Sequence, residues 1–374
     1  MKINFFLIDK MISFIKPIKT YPFLLIITTC VWFVFSCSLF PPEGIYIEPF
    51  NWEISSPEKQ GLNSSELGIA VEELQELEDI HSILVIRNGY LLLEEYYNDY
   101  NAYQGFEIRS ITKSFLSALI GIAIDKGFIK NLDVKLLDFF PEYVTNDIDE
   151  RKYDITLRHL LLMQAGFPGD KSSYYDNIDS YNLVESFLKV PLVQEPGEQV
   201  IYSTAAAHLV SAILSKSTGL NAWEFAKEFL HPQLGIELIN WNMDFQQNSI
   251  GGTGITCTSR DLARFGYLYM QEGFIDGTQI VPKEWIEMTF SDELIKNRSW
   301  GPISKLGIQY YWWSGKFGLY SFMMASGYGG QFIIYFPEQE LLIVTTGDPY
   351  NYNQNHDVKI LRAINDHILG SILE

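Results

Sequence analysis

A serine three residues ahead of a lysine is a compact arrangement for making an acylating nucleophile. On a helix, residues i and i+3 share a face, so the amine stands beside the hydroxyl. The pattern occurs four times in this chain, at Ser13/Lys16, Ser56/Lys59, Ser110/Lys113 and Ser186/Lys189. Context separates the four. Ser13 lies in a lysine-flanked apolar leader, Ser56 is followed by Pro57, and Ser186 opens a short segment broken by Pro191. Ser110 alone opens a long apolar run, Phe115 to Ile124, whose helix would be buried all round. Burial disfavours a charged ammonium, which makes Lys113 a candidate base. A serine at a helix N-terminus sits in a field that favours developing negative charge. The alternative is a helix-capping serine beside an exposed lysine, and from this pattern alone the two stand even.

Two further groups carry polar chemistry. Tyr202-Ser203-Thr204 follows Glu195-Pro196-Gly197 and precedes a helix; a tyrosine in a cleft with cations nearby can transfer protons. Ala325-Ser326-Gly327-Tyr328-Gly329-Gly330 leads into a strand. Glycines at the start of an edge strand let a substrate lie against exposed N–H donors. The bland alternatives are a core tyrosine and an ordinary turn. The serine-hydrolase elbow GxSxG, HExxH, the P-loop and a complete GxGxxG are absent, and the six histidines lack ligand spacing, so no metal or cofactor is expected.

The elements that must position these residues are legible in outline. Ile83–Ile86 and Leu91–Leu93 flank Asn88-Gly89, a hairpin signal. The Ser110 helix runs to about Lys126, with Gly127 as its cap. Residues 130–290 read as mostly helical, with one helix opening at Thr156 over ITLRHLLLMQAGF, another from about Thr204 to Lys216 (ending at Gly219), and a third from Ser259 to Gln271. Strand patterns return at Gly307–Trp313, Gln331–Phe336 and Leu341–Thr346, and a helix from about Asp357 to Leu369 closes the chain. The expected fold class is α+β: an antiparallel sheet built from the two ends, flanked by helices, with an all-helical lobe inserted. The loop Gly166–Asn182, with Tyr174, Tyr175 and Tyr181, and either Trp312 or Trp313, are candidates to line a cleft.

Taken in order, these elements resemble the penicillin-recognising serine hydrolases, and within them the class C β-lactamase-related esterases, amidases and D-aminopeptidases. The phrases RSITKSF, ITLRHLLLMQAGF, EPGEQVIYST, GGTGITCTSRDLARFG and SGYGGQFIIYFPE carry the likeness, which covers about Glu53 to the C-terminus. The resemblance implies a β-lactamase/transpeptidase-like fold with its cleft between the lobes. It implies Ser110 as acylated nucleophile, Lys113 as base and Tyr202 as second proton-transfer group. The oxyanion hole would be the backbone N–H groups of Ser110 and Tyr328. Thr204, Ala325, Ser326 and Gly327 would bind substrate. Two positions depart from the pattern: Thr204 stands where β-lactamases carry Asn, and Ala325 where they carry a cation that holds a substrate carboxylate. These departures favour a small ester, amide or peptide-like substrate. The rival expectations are a true β-lactamase or peptidoglycan D,D-peptidase, and an inactive binding module on the same fold.

The 374 residues carry 46 acidic and 27 basic side chains, a net charge of −19. A surface this acidic repels phosphate backbones, so no nucleic-acid partner is expected. Three cysteines, Cys30, Cys37 and Cys257, leave no disulfide framework in the body, where Cys257 reads as a small buried hydrophobe. Lys2, Lys10, Lys16 and Lys19 precede an uncharged 16-residue stretch, Tyr21–Ser36. That is short for a membrane span, which needs ~20 apolar residues, and it suits a secretory leader. Its end, Val34-Phe35-Ser36-Cys37, resembles a bacterial lipobox. The expected layout is therefore a lipoprotein-type signal over 1–36, lipidation at Cys37, a tether over 37–52 and a catalytic domain over 53–374. Within that domain the sheet lobe spans about 53–127 and 295–374, and the helical lobe about 128–294. The mature body would sit outside the cytoplasm on a membrane, held by the lipid or by an uncleaved anchor.

Overall fold

The computed structural model describes residues 51–176, 178–236, 238–290, 298–350 and 354–373. The leader, Cys37 and all but the last two residues of the tether lie outside the described residues.

The described chain runs α1 (Ser64–Gln75), β1 (Ile80–Arg87), β2 (Tyr90–Tyr96), β3 (Phe106–Glu107), α2 (Ile111–Asp125), α3 (Leu157–Leu161), α4 (Leu183–Lys189), α5 (Thr204–Thr218), α6 (Ala222–Phe229), α7 (His231–Leu234), β4 (Asn240–Trp241) and β5 (Ile255–Cys257). It continues through α8 (Ser259–Met270), the short hairpin β6 (Phe274–Ile275) and β7 (Thr278–Gln279), and α9 (Lys283–Phe290). It ends with β8 (Ile303–Gln309), β9 (Trp312–Phe317), β10 (Tyr320–Gly327), β11 (Gln331–Phe336), β12 (Leu341–Gly347) and α10 (Gln354–Ala363).

Seven strands form one antiparallel sheet in the order β2-β1-β12-β11-β10-β9-β8. The pairing of β1 with β12, Val85 opposite Ile343, joins the two ends of the chain. The β1–β2 turn has Asn88 and Gly89 both at positive φ, 53° and 83°, the geometry their types allow. Both faces of the sheet are covered. Ile83, Val85, Phe332 and Ile334 pack on one face with Leu67 and Leu74 of α1 and Ile360 of α10. Leu84, Ile333 and Val344 pack on the other with Phe115 of α2 and Phe265 of α8. A strand buried on both faces loses polar alternation, which is why β1 reads as a continuous apolar run.

The α2 helix is the central support. Every residue from Ile111 to Ala123 is buried, and Gly127 (φ 75°) lets the chain turn at its end, as its type suggested. Gly121 has a packing reason: a Cβ there would meet Trp285 of α9 at 2.6 Å.

Three boundaries differ from the sequence reading. The Thr156 helix stops at Leu161, because Met163 turns to φ 56°. The single strand expected over Gly307–Trp313 is two strands, β8 and β9. They are joined at Tyr310-Tyr311, both at positive φ (46° and 66°), a tight hairpin turn without Asn or Gly. The inserted lobe also ends earlier than about 294, since α8 already packs on β11 and β12.

Two buried histidines are expected to make the fold acid-sensitive. His81 Nδ1 and His231 Nε2 lack partners among the described residues, and burial pushes both imidazoles down to about 4. Between pH 6.5 and 4 the unfolded chain takes up protons at these sites and the folded chain does not. Stability therefore falls as pH falls through that window. The melting temperature is expected to drop by several degrees between pH 7 and 4.5. His231→Phe, which keeps an aromatic ring, is expected to reduce the drop; an unchanged acid limb in that variant would contradict it.

Candidate functional site

Ser110 lies where β3 gives way to α2. The chain leaves the small sheet with Ile108 N–H on Ile255 O (3.1 Å) and enters the helix through tight i→i+3 bonds, among them Lys113 N–H to Ser110 O (3.0 Å). Ser110 occupies the N-cap position, yet its side chain makes no capping bond. Its hydroxyl instead accepts a hydrogen bond from Lys113 Nζ at 3.0 Å. The capping alternative thus fails on geometry. Lys113 is 1% exposed, and its Nζ also donates to Gly252 O at 2.8 Å. The amine is held between a hydroxyl and a carbonyl, in line with the helix face that carries Ser110.

Gly251 and Gly252 were not singled out in the sequence, although they stand side by side in GGTGITC. A Cβ on Gly252 would meet Thr204 Cγ2 at 2.3 Å, and one on Gly251 would meet Ala207 O at 2.2 Å. Only glycines allow this loop to press on α5 and bring its carbonyl to Lys113. The rival pairs have no such setting. Ser56 and Lys59 are exposed. Lys189 is exposed and paired with Glu185 (2.6 Å), while Ser186 Oγ donates to Asp179 O (3.2 Å). Ser13 and Lys16 lie outside the described residues.

Tyr202 is set by the start of α5. Ser203 caps that helix by accepting from Ala206 N–H (3.3 Å), and Ile201 N–H on Met163 O (2.8 Å) fixes the approach. The Tyr202 ring lies with Lys113 Nζ 4.9 Å from its centroid and stacks on Trp313 at 6.0 Å and 17°. Of the two tryptophans considered, Trp313 therefore borders the site, while Trp312 is buried against Tyr269. Thr204 meets a residue that sequence reasoning missed: its N–H and its hydroxyl both donate to the Asp170 carboxylate, at 2.6 and 2.7 Å. Asp170, Tyr175, Ile178, Phe187, Thr204 and Ala205 line a cavity of about 420 Å³. Tyr175 is thus the cavity-lining member of the loop's three tyrosines, whereas Tyr174 and Tyr181 are exposed.

The third element approaches Ser110 from the sheet. Ala325, Ser326 and Gly327 end β10 rather than start an edge strand, and β10 is interior to the sheet. The β9–β10 pairing, however, stops at Met324 opposite Trp313, so these three residues run on paired with β11 alone. A Cβ on Gly327 would meet Ile108 O at 2.3 Å, so glycine brings the end of β10 against the segment that precedes Ser110. Gln331 holds the following turn, donating to Gly329 O (3.0 Å) and Gly347 O (2.5 Å), and Thr345 Oγ1 donates to Gly330 O (2.7 Å). Tyr328 is 54% exposed; Ala325 is fully buried, so the substrate contact expected at Ala325 is not formed, because the residue is packed into the core on its face of the sheet. Arg109, next to Ser110, has φ 49°, a conformation that costs a non-glycine residue about 1–3 kcal/mol. Strain of that kind persists only where neighbours over-determine it.

The structure therefore brings Ser110, Lys113 and Tyr202 together at one end of the sheet, beside the close of β10. A family model described as Beta-lactamase matches residues 81–357. The chain belongs to the beta-lactamase family. Members of this serine hydrolase family share the architecture described above. Among curated relatives, the beta-lactamase family member is 23% identical to 6-aminohexanoate-dimer hydrolase of Paenarthrobacter ureafaciens, over 55% of this chain and 56% of that one. It is 26% identical to Beta-lactamase-like protein 2 of Dictyostelium discoideum, over 34% of this chain but only 25% of that protein's length. Among solved structures it resembles the octameric penicillin-binding protein homologue from Pyrococcus abyssi, with TM-score 0.63 and 20% identity over 82% of this chain and 77% of that one.

Proposed function

We propose that this hydrolase forms an acyl-enzyme on a neutral ester or amide, with Ser110 as nucleophile, Lys113 as its base and Tyr202 as second proton-transfer group. The observation that carries the reading is the 3.0 Å contact between the buried Lys113 amine and the Ser110 hydroxyl. In its neutral form the amine takes the hydroxyl proton as Oγ attacks the substrate carbonyl. The oxyanion that forms is met by the backbone N–H groups of Ser110 and Tyr328. The leaving alcohol or amine departs with a proton from Tyr202; the tyrosinate then deprotonates a water that attacks the acyl carbonyl, and the acid is released as Ser110 Oγ recovers its proton from the Lys113 ammonium. An extracytoplasmic, membrane-anchored location belongs to the same reading and rests on the N-terminal residues alone.

Substrate class follows from charge. Ala325 is fully buried, so β10 offers no cation to a substrate carboxylate, and a lysine there would overpack the core. The Arg109 guanidinium is engaged by Glu107 at 3.1 Å and lies over the Tyr350 ring. Asp170 adds negative charge beside Thr204. Losing one charge-assisted hydrogen bond costs about 1.5–3 kcal/mol, roughly 10- to 150-fold in binding. The curated 6-aminohexanoate-dimer hydrolase is named for an open-chain amide, which supports an amide outside the β-lactam class; that dimer ends in a carboxylate, so the name carries nothing on charge. The expected result is a higher kcat/KM for a short-chain p-nitrophenyl ester than for a chromogenic cephalosporin. A preference for the cephalosporin would overturn the assignment in favour of a β-lactamase.

A further inference from the structure

The segment that follows β12 touches both sides of the proposed oxyanion hole. On one side, the Tyr350 hydroxyl donates to Glu107 Oε2. Glu107 Oε1 holds Arg109 Nη1 at 3.1 Å, and the Arg109 guanidinium lies 4.9 Å from the centroid of the Tyr350 ring. These three contacts close a ring around Arg109, the residue in left-handed conformation immediately before Ser110. On the other side, Gly329 sits at φ 88° against the same segment, where a Cβ would meet Pro349 Cα at 2.6 Å and Asp348 O at 2.8 Å. Gly329 is the residue after Tyr328. Asp348 is itself tied down, its N–H donating to Asp79 O at 2.8 Å.

We propose that Tyr350 and Glu107 are positioning residues: with Arg109 they form a brace that fixes the Ser110 amide relative to the Tyr328 amide. This rests on the acyl-enzyme reading above. Neither residue need touch the reacting atoms. Their action runs through the backbone at 109–110, where a left-handed arginine has no intrinsic reason to stay. Small displacements of a donor matter because stabilisation of the oxyanion depends on where the charge develops.

The test is kinetic, on the full-length enzyme, with rates expressed per active site from the burst of p-nitrophenol. Tyr350→Phe keeps the ring over Arg109 and removes the bond to Glu107. It is expected to lower kcat for a p-nitrophenyl ester, and the labelling rate with a fluorophosphonate, by about 10-fold, with KM within about 2-fold. Tyr350→Ala is expected to lower both rates by about 100-fold, the scale of a misplaced catalytic group. Glu107→Gln, which keeps an acceptor for Tyr350, should retain more activity than Glu107→Ala. Wild-type rates per active site in both Tyr350 variants would overturn the brace, even with a lowered melting temperature. A raised KM at unchanged kcat would also overturn it, because Tyr350 would then be a substrate contact. A wild-type protein that is not labelled at Ser110 would instead overturn the nucleophile assignment, and the brace with it.

Discussion

Ser110→Ala is expected to abolish both fluorophosphonate labelling and ester turnover, with the melting temperature changed by no more than a few degrees. One hydroxyl is removed from a half-buried site, and the bond lost is a single one, worth about 0.5–1.5 kcal/mol. Lys113 keeps its second partner, Gly252 O, so the buried amine is not left without an acceptor. The two readouts are independent: labelling reports the nucleophile, and thermal unfolding reports the fold. Full-rate labelling of the variant would remove Ser110 from the mechanism and return attention to Ser186, the other serine-lysine pair on a described helix.

The second large effect is expected at the proton-transfer groups, and their two variants separate chemistry from packing. Tyr202→Phe keeps the ring that stacks on Trp313 and lies over Lys113, and removes only the hydroxyl. It should lower kcat about 10²-fold or more, the scale of a lost acid–base group, with little change in stability. Lys113→Ala should cost about 10²- to 10⁴-fold in kcat. It should also destabilise the fold, because a buried carbonyl that loses its donor carries a penalty of about 1–3 kcal/mol and a cavity is left in α2. A Tyr202→Phe enzyme with wild-type kcat across the pH range would take Tyr202 out of the proton-transfer role and leave it as a wall of the site.

Much of this was readable from residue types, and the reasons differ by element. The Asn88-Gly89 hairpin, the Gly219 end of α5 and the largely apolar α2 are local signals, since glycine at positive φ and a helix with almost no polar face leave few alternatives. The Tyr310-Tyr311 turn was illegible because two tyrosines at positive φ contradict turn propensity; tertiary packing holds them, with Tyr311 hydroxyl on Leu160 O (3.2 Å) and Ser114 Oγ on Tyr311 O (2.9 Å). The site divides in the same way. Ser110 and Lys113 lie on one helix three residues apart, so their meeting is a matter of helical geometry. Gly252, Asp170 and Tyr350 reach it from far along the chain. Nothing in the local sequence states that Gly252 will offer its carbonyl to a lysine 139 residues away. The adjacent glycines of GGTG were the available signal, read only as part of a family phrase.

The central claim is a covalent intermediate on Ser110, and trapping it is the most direct measurement. The enzyme is mixed with a p-nitrophenyl ester, quenched with acid during the burst, digested and mapped by mass. The account predicts one acyl group, carried by the peptide that contains Ser110 and absent from the Ser110→Ala protein. An acyl group mapped to a different residue, or steady turnover with no acylated peptide at any quench time, would contradict it.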